Sequence, residues 1–239
     1  MPTITLFKFD AKLEKNNIVK LLDKKKVGDD WIRARCSSYA SDEIEVDYYY
    51  PESLEENLRR IVEDDQLHSI LTDVFANVNH LIIRRVRIYI NLRYNLLQVY
   101  RGPDVVTKRI KESLEKLLNV KLQQVTFSSS QLIGMATNYA EEIRHAIFKN
   151  VNGFWFTLLR GQHLEKNVKF QRYLSYNHNS LRAIGIRPKI RYIDGNKSFT
   201  VTINGDRGTL KICSSGMLKW RPRFELRQVI YIVSKYIGG

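Results

Sequence analysis

The sequence is poor in cysteine and in long apolar runs. Its two cysteines, Cys36 and Cys213, are too few for a disulfide framework or a zinc site. Each lies in a predicted strand, where a buried thiol is the usual outcome. No run approaches the roughly 18 apolar residues of a membrane helix, and the N-terminus has no signal-peptide pattern. These absences predict an intracellular protein without membrane association, in the cytoplasm, the nucleoid or the nucleus.

The sequence also lacks the common signatures of catalysis. Its five histidines show no pair at metal-ligand spacing, and it has no nucleotide-binding glycine loop. We therefore expect no metal, no cofactor and no enzymatic activity. A cluster of carboxylates, Glu43, Glu45 and Asp47, leaves a metal-dependent nuclease as a distant alternative. Strand alternation places these carboxylates in a row, which favours a solvated strand face over a metal site.

Charge is unevenly distributed along the chain. The sequence has 39 basic and 25 acidic residues, which gives a net charge of +14. Residues 1–120 have a net charge of +1, whereas residues 121–239 have a net charge of +13. A basic half joined to a nearly neutral half predicts a surface for a polyanion in the second half. The alternative is that lysine and arginine simply keep a basic protein in solution.

Periodic apolar residues predict alternating strands and helices in the first half. Asp10 is a candidate N-cap for the first helix, Pro51 is placed to open an acidic helix, and Asp104 precedes a helix with an apolar stripe. The stripe consists of Val105, Ile110, Leu114, Leu117 and Leu118. The predicted strands cover about residues 3–9, 31–37, 44–48, 81–90 and 97–99, and the predicted helices about 11–26, 53–64, 67–78 and 104–118.

The second half is predicted to have the same mixture of elements. The serines at 128–130 are candidate N-caps for a long helix that ends near Asn150, and Pro222 is placed to open a closing helix that reaches Ile237. The predicted strands cover about residues 120–127, 154–160, 166–174, 187–194, 198–203 and 209–213, the last two joined by a glycine-rich turn at 204–208.

A similar stretch occurs twice, 113 residues apart. Each copy has two alternating apolar residues, an asparagine, two further apolar residues, a glycine and then a helix. The residues are Ile88, Ile90, Asn91, Leu97, Val99 and Gly102 in one copy, and Val201, Ile203, Asn204, Leu210, Ile212 and Gly216 in the other. The order of elements also agrees. We therefore predict an α+β fold of two pseudo-repeated halves, 1–119 with an inserted acidic helical segment at about 51–80, and 120–239. They would form a curved antiparallel sheet with helices packed on one face.

These motifs resemble the TATA-binding-protein-like fold, a duplicated unit shaped like a saddle. The similar residues are the stretches 201–205 and 210–216 and the end of the last helix at 236–238. A looser similarity, at the strand-to-helix junction 126–130, is to the centromere proteins L and N. TATA-binding proteins wedge paired phenylalanines between base steps. The corresponding turns here have no such pair, so sharply kinked DNA is not expected.

If helices cover one face of the sheet, alternate residues of each strand form the other face. In the second half this face has cations and hydroxyls, which suit phosphates and sugars, and Tyr173, which suits stacking on a base. Alternation would place Arg187, Lys189 and Arg191 on one side of a strand. The face consists of Lys169, Gln171, Tyr173, Arg187, Lys189, Arg191, Thr200, Thr202, Thr209 and Lys211. The alternative is a face that these side chains merely keep soluble.

A second basic cluster, Lys219, Arg221, Arg223 and Arg227, lies at the start of the closing helix. A helix N-terminus is itself positive, so cations there need a counter-charge. Phosphate is one candidate and an acidic protein partner is the other. In the first half, Arg33, Arg35, Arg85 and Arg87 are offset by the carboxylates of the neighbouring strand, which favours protein contact over DNA.

The sequence thus predicts a non-catalytic nucleic-acid-binding protein, with DNA favoured over RNA. The predicted binding residues are Lys169, Tyr173, Arg187, Lys189, Arg191, Lys211, Lys219, Arg221, Arg223 and Arg227. The alternative is an adaptor subunit whose sheet edge or acidic first half docks a protein partner, which includes a homodimer or heterodimer.

Overall fold

The computed structural model describes residues 3–53, 58, 62, 64–76, 81–151, 153–193, 199–214 and 221–237. These residues form twelve strands and six α-helices, which confirms the α+β class. The strands are β1 (Thr3–Lys8), β2 (Lys25–Val27), β3 (Asp30–Cys36), β4 (Glu43–Ser53), β5 (Leu81–Asn91), β6 (Leu96–Val99), β7 (Gln123–Gln124), β8 (Ala140–Val151), β9 (Phe154–Arg160), β10 (Leu181–Pro188), β11 (Phe199–Asn204) and β12 (Thr209–Ser214). The helices are α1 (Lys15–Leu22), α2 (Asp65–Ala76), α3 (Val105–Leu118), α4 (Ser129–Tyr139), α5 (Val168–Asn177) and α6 (Arg223–Ser234).

All of the strands belong to one open antiparallel sheet, as the sequence predicts. The order is β2-β3-β4-β5-β6-β1-β12-β11-β10-β8-β9, with β7 paired to β1. Strand β1 joins the two halves, because Thr5 pairs with Val99 of β6 on one side and with Thr209 of β12 on the other. Both faces of β1 are buried, which is typical of a strand in the middle of a layered domain.

The two hydrophobic cores lie on opposite faces of this sheet. Paired residues of neighbouring strands project to the same face, whereas successive residues of one strand project to opposite faces. Along β1, Phe7 pairs with Leu97, and the adjacent Leu6 pairs with Gln98. We call the face of Phe7 the α1 face and the face of Leu6 the α6 face.

Different helices cover the two faces. On the α1 face, Ile18 of α1 and Ile110 of α3 share a buried cluster with Phe7 and the first-half strands. On the α6 face, the buried cluster of Leu6 and the second-half strands takes its helical residues from α4, α5 and α6. These residues are Leu132, Met135, Ala136, Phe170, Leu226, Val229, Ile230 and Val233. The expectation that all helices cover one face is therefore wrong.

The central register explains this arrangement. Alternation identifies the residues of one strand that share a face, but it does not relate that face to the other half of the sheet. The pairing of Ile4 with Leu210 puts the apolar residues of β12 on the α6 face, and Thr209 and Lys211 on the α1 face. The first half has the opposite assignment, since its apolar residues share the face of Phe7.

A buried polar contact fastens the first-half core to α3. Tyr48 of β4 donates a hydrogen bond to Asp30, and its hydroxyl lies 3.1 Å from Ser113 Oγ of α3. Arg109 of α3 pairs with the same aspartate. Burial and the hydrogen bond to Asp30 raise the pKa of Tyr48 to about 12, so the phenol stays protonated as a donor.

The largest difference from the predicted elements is in residues 128–150. Ser128 caps α4 through a capping box with Gln131, as predicted, but the helix ends at Tyr139. Residues 140–151 form β8, which pairs with β10 and β9. The run is rich in good helix formers, and pairing on both sides overrides that weak local preference.

Two predicted strands of the second half are also wrong. The strand predicted at 166–174 is instead mostly helix α5, which begins at Val168, because Asn167 caps it at Phe170 and the apolar residues recur at helical spacing. The strand predicted at 187–194 instead ends at Pro188. Only two residues of the predicted 120–127 strand pair as β7.

Several smaller expectations in the first half need correction. Helix α1 begins at Lys15, so Asp10 is not its cap. Pro51 lies inside β4, and the helix predicted at 53–64 falls mostly outside the described residues. Val105 is exposed, and Cys36 is exposed and Cys213 half-buried, against the expectation of two buried thiols. No helix in the described ranges combines the length and apolarity of a membrane-spanning segment.

The strand, the turn and the returning strand of the two repeated stretches adopt the same local structure. Asn91 Oδ1 accepts a hydrogen bond from Tyr94 N, and Asn204 Oδ1 accepts one from Arg207 N, both at 3.0 Å. Each asparagine ends a strand before a tight turn and a returning strand. The internal duplication stays a prediction. Two copies with their cores on opposite faces would be related by a rotation that turns one half over.

A substitution at Gly208 tests the backbone contacts that join the two halves at β1. Gly208 has a φ of +51°, its carbonyl accepts from Leu6 N, and a Cβ there would lie 1.9 Å from Val125 O. Gly28 has a similar φ of +61° with no atom within 4 Å of a Cβ. We expect Gly208→Ala to lower the free energy of unfolding by about 3 kcal/mol and Gly28→Ala by about 1 kcal/mol, since only the first adds a backbone clash. Urea denaturation followed by circular dichroism measures both, and equal losses would contradict the assigned contact.

Candidate functional site

The α1 face of the second half is not covered by α1 or α3, and it forms a cavity of about 1000 Å³. Its floor is the polar side of β8, β10, β11 and β12, and residues of β9 and the loop before α3 form its rim. The lining residues are Thr3, Gly102, Pro103, Arg144, His145, Ile147, Leu158, Arg160, Gly161, Gln162, Ala183, Thr200, Thr202, Asn204, Arg207, Thr209, Lys211 and Cys213. No carboxylate is among these described lining residues.

A continuous row of paired residues crosses the cavity floor. Arg160 pairs with His145, His145 with Gly185, Gly185 with Thr202, and Thr202 with Lys211. Neighbouring strands lie about 4.8 Å apart, so the row spans roughly 19 Å from β9 to β12. We call these five residues the cationic row. Thr202 and Lys211, which the sequence predicted on an open face of the sheet, line this cavity.

His145 lies directly over Gly185. A Cβ at position 185 would lie 1.9 Å from His145 Cε1, so only glycine permits this packing. The ring Nε2 is 3.1 Å from Thr202 Oγ1. Burial, followed by the nearby charges of Arg160 and Lys211, lowers the pKa of His145 below its usual range. A lowered pKa favours the neutral imidazole at neutral pH, and an anion that offsets these charges would favour the protonated form.

The cations of the cavity differ in how far they are neutralised. Arg144 Nε lies 3.2 Å from Glu142, and its Nη1 donates to Thr200 Oγ1 at 2.9 Å. In the described part of the chain, no carboxylate forms an ion pair with Arg160, Arg207 or Lys211. These three uncompensated cations, with the threonine hydroxyls, give a positive, hydrogen-bonding surface that suits oxyanions.

The other predicted strand cations lie outside the cavity. Arg187 forms ion pairs with Glu141 at 3.0 Å and Glu142 at 3.6 Å. Lys189 and Arg191 are exposed but follow the end of β10, so the predicted row of three on one strand does not form. Lys169 is exposed on α5.

Tyr173, predicted to be free for stacking, is half-buried. Its ring packs edge-on against Phe148, with 5.0 Å between the ring centroids. The side chain belongs to the core of the α6 face, because residues 166–174 form a helix rather than a strand.

The cluster at the start of α6 serves the fold. Arg221 is buried and donates two hydrogen bonds to Glu225, at 2.7 and 2.8 Å. Arg223, 7% exposed, pairs with the fully buried Glu43 and donates to Gln98 Oε1 at 3.0 Å. Arg227 lies 3.7 Å from Glu43. The counter-charge that these cations needed is therefore in this chain. Lys219 lies outside the described residues.

The three carboxylates of β4 were expected to form a solvated face, and that expectation is wrong. Glu43, Glu45 and Asp47 are at most 7% exposed. Arg35 pairs with Glu45 at 2.9 Å, and Arg87 lies within 4 Å of both Glu45 and Asp47. The carboxylates that a nuclease would need for a metal ion therefore form ion pairs with arginines of this chain. Among the residues that the structure describes, no group of three or more histidine, cysteine or acidic side chains is placed to hold a metal.

Sequence reasoning missed the cavity cations Arg144, Arg160 and Arg207 and the histidine His145. Arg144 and His145 were assigned to the second part of a predicted helix, and that part is β8. Arg207 was assigned only to a turn, and Arg160 was not recognised as a partner of His145 across the β8–β9 hairpin. The sequence signal for this hairpin was the turn that begins at Asn150 and ends at Gly153. Asn150 and Gly153 both have positive φ. An asparagine and a glycine between two apolar stretches are typical of a hairpin.

A substitution at Arg223 tests whether the basic cluster at the start of α6 stabilises the fold. We expect Arg223→Ala to lower the free energy of unfolding by about 3 kcal/mol, because it leaves Glu43 buried without its main partner. The double variant Glu43→Gln/Arg223→Met should recover most of the loss, since neither side chain is then charged. The exposed pair Lys108–Glu112 is the matched control, and Lys108→Ala should change the free energy of unfolding by less than about 0.5 kcal/mol. Urea denaturation measures all three, and a loss no greater than the control's would refute the role.

Comparison with models of known protein families finds no match for this chain, and comparison with curated proteins finds no similar sequence.

Proposed function

We propose that the protein is a non-catalytic nucleic-acid-binding protein that holds the phosphate backbone in the cavity on the α1 face of its second half. The observation that carries this proposal is the cationic row. Arg160 and Lys211 stand at its two ends with no paired carboxylate among the described residues, and hydroxyl and imidazole groups lie between them. A strip of about 19 Å with spaced cations fits a repeating polyanion better than a single small anion.

The distribution of charge also supports a polyanion. Many cations of the protein are neutralised by carboxylates, as Arg187 and Arg223 illustrate. Those of the cavity are mostly not. Contacts of lysine, arginine and threonine with phosphate fix position without reading base sequence. We therefore propose weak sequence preference, with DNA favoured over RNA, and a location in the cytoplasm, the nucleoid or the nucleus. The relation to the TATA-binding-protein-like fold is proposed as well, but the site does not depend on it.

The adaptor hypothesis relies on a sheet edge or an acidic first half as the docking surface. Two carboxylates of β4, Glu45 and Glu43, form ion pairs with arginines of this chain, which makes them less suitable for a partner. A partner docked at a sheet edge or on the acidic segment at about 51–80 is the alternative proposal.

Charge reversal at the ends of the cationic row tests the proposal. We expect Arg160→Glu/Lys211→Glu to weaken nucleic-acid binding at least about tenfold, because two charge-assisted contacts are lost and two repulsions are added. The slope of log affinity against log salt should become shallower by roughly 1.5. Fluorescence anisotropy with duplex DNA, single-stranded DNA and RNA at several salt concentrations measures both quantities.

The matched control is Lys189→Glu/Arg191→Glu, which changes the net charge equally but lies outside the cavity. We expect the control to retain affinity within about threefold of wild type, since long-range charge effects are screened by salt. Equal losses in the two variants would show that net charge, and not the cavity, governs binding. Unchanged binding by the cavity variant would overturn the site.

His145 predicts a pH dependence. A phosphate beside Arg160 and Lys211 would offset the charges that, together with burial, lower the pKa of His145, so binding raises that pKa and takes up a proton. Affinity should therefore increase as the pH falls from about 7.5 to about 5.5, by up to about tenfold for each unit of pKa change. His145→Gln should flatten this part of the profile. A wild-type affinity that does not change with pH over this range would contradict the position of the phosphate.

A further inference from the structure

The outermost strand next to the cavity has an unusual surface. In β9, the side chains of Phe154, Trp155 and Phe156 are 67%, 87% and 66% exposed. Strand β9 is the last strand of the sheet and pairs only with β8 in the described part of the chain. Exposed aromatic residues on an edge strand favour aggregation, so three in succession indicate a binding role.

The aromatic residues are continuous with the cationic row. Along β9, Phe156, Leu158 and Arg160 alternate on one face, and Leu158 and Arg160 both line the cavity. At about 3.3 Å per residue, Phe156 is roughly 13 Å along the strand from Arg160. A ligand whose phosphates lie on the cationic row therefore reaches Phe156, and then Phe154, on the same face of the sheet. Trp155 projects to the opposite face.

The chemistry of the rings identifies the kind of nucleic acid. Aromatic side chains stack on the faces of bases and contribute to binding without sequence preference. In a duplex those faces are already stacked on each other, so the rings can reach them only in a single strand or after a base is unstacked. On the basis of the proposed function, we infer that the protein binds single-stranded nucleic acid, with bases stacked on Phe154 and Phe156 and the backbone on the cationic row.

A second copy of the chain is a less suitable occupant of this edge. Pairing two β9 strands would bring two cationic rows together in a protein with a net charge of +14, and the repulsion opposes association. A nucleic acid instead supplies bases that stack on the exposed rings and negative charge that neutralises the cations.

A substitution at Phe156 tests the inference. Phe156→Leu keeps an apolar side chain but removes the ring. We expect it to weaken binding to labelled oligo-dT by roughly fivefold to a hundredfold and to leave duplex affinity within about twofold of wild type. Phe156→Tyr should retain most of the single-strand affinity, because its ring still stacks. Tyr176→Leu, which removes an 86% exposed ring on α5, is the matched control and should change neither affinity.

The outcomes separate this inference from the proposed function. Salt-dependent binding with equal losses on duplex and single strand, or no loss in Phe156→Leu, overturns the aromatic site and leaves the phosphate site standing. Failure of the wild type to bind any nucleic acid overturns both. Light scattering that shows a wild-type dimer, a monomeric Phe156→Leu variant and unchanged single-strand affinity assigns β9 to a second copy and overturns the inference. Thermal unfolding by circular dichroism verifies that each variant is folded.

Discussion

The structure depends on one central strand that is buried on both faces. In β1, Leu6 contributes to the core on the α6 face and Phe7 to the core on the α1 face. The two halves therefore share a sheet while each builds its core on a different side. Helices α1 and α3 cover the α1 face of the first half, and the same face of the second half stays open. The cavity is a direct consequence of this arrangement.

Helix α6 connects the two halves by two kinds of interaction. Its apolar residues pack on the second-half strands, whereas Arg223 reaches Glu43 in the first half. A buried ion pair contributes little net stability compared with apolar packing, but breaking it is costly, so it fixes the position of the helix. The basic residues of the second half thus form two groups. Arg221 and Arg223 serve the fold, and Arg160 and Lys211 remain available to a ligand.

Local sequence signals predicted the elements that depend on neighbouring residues. Asp104 caps α3 by accepting from Thr107 N at 2.8 Å, and Ser128 forms a capping box. The hairpins β5–β6 and β11–β12 follow their alternating residues and turns. Local signals gave the wrong prediction for residues 140–151. Their composition favours a helix, but pairing with strands on both sides makes them a strand. That error concealed Arg144 and His145 and misplaced the candidate site.

By itself, the sequence determined the α+β class, a single antiparallel sheet and the regional excess of positive charge. It also determined the polar side of β11 and β12, which includes Thr202 and Lys211. Tertiary structure alone decided which face of each half is covered, because the register of β1 with β12 relates residues that are far apart in the chain. It also decided which cations are neutralised. Ion pairing depends on distances of a few ångströms between elements, and no local pattern contains that information.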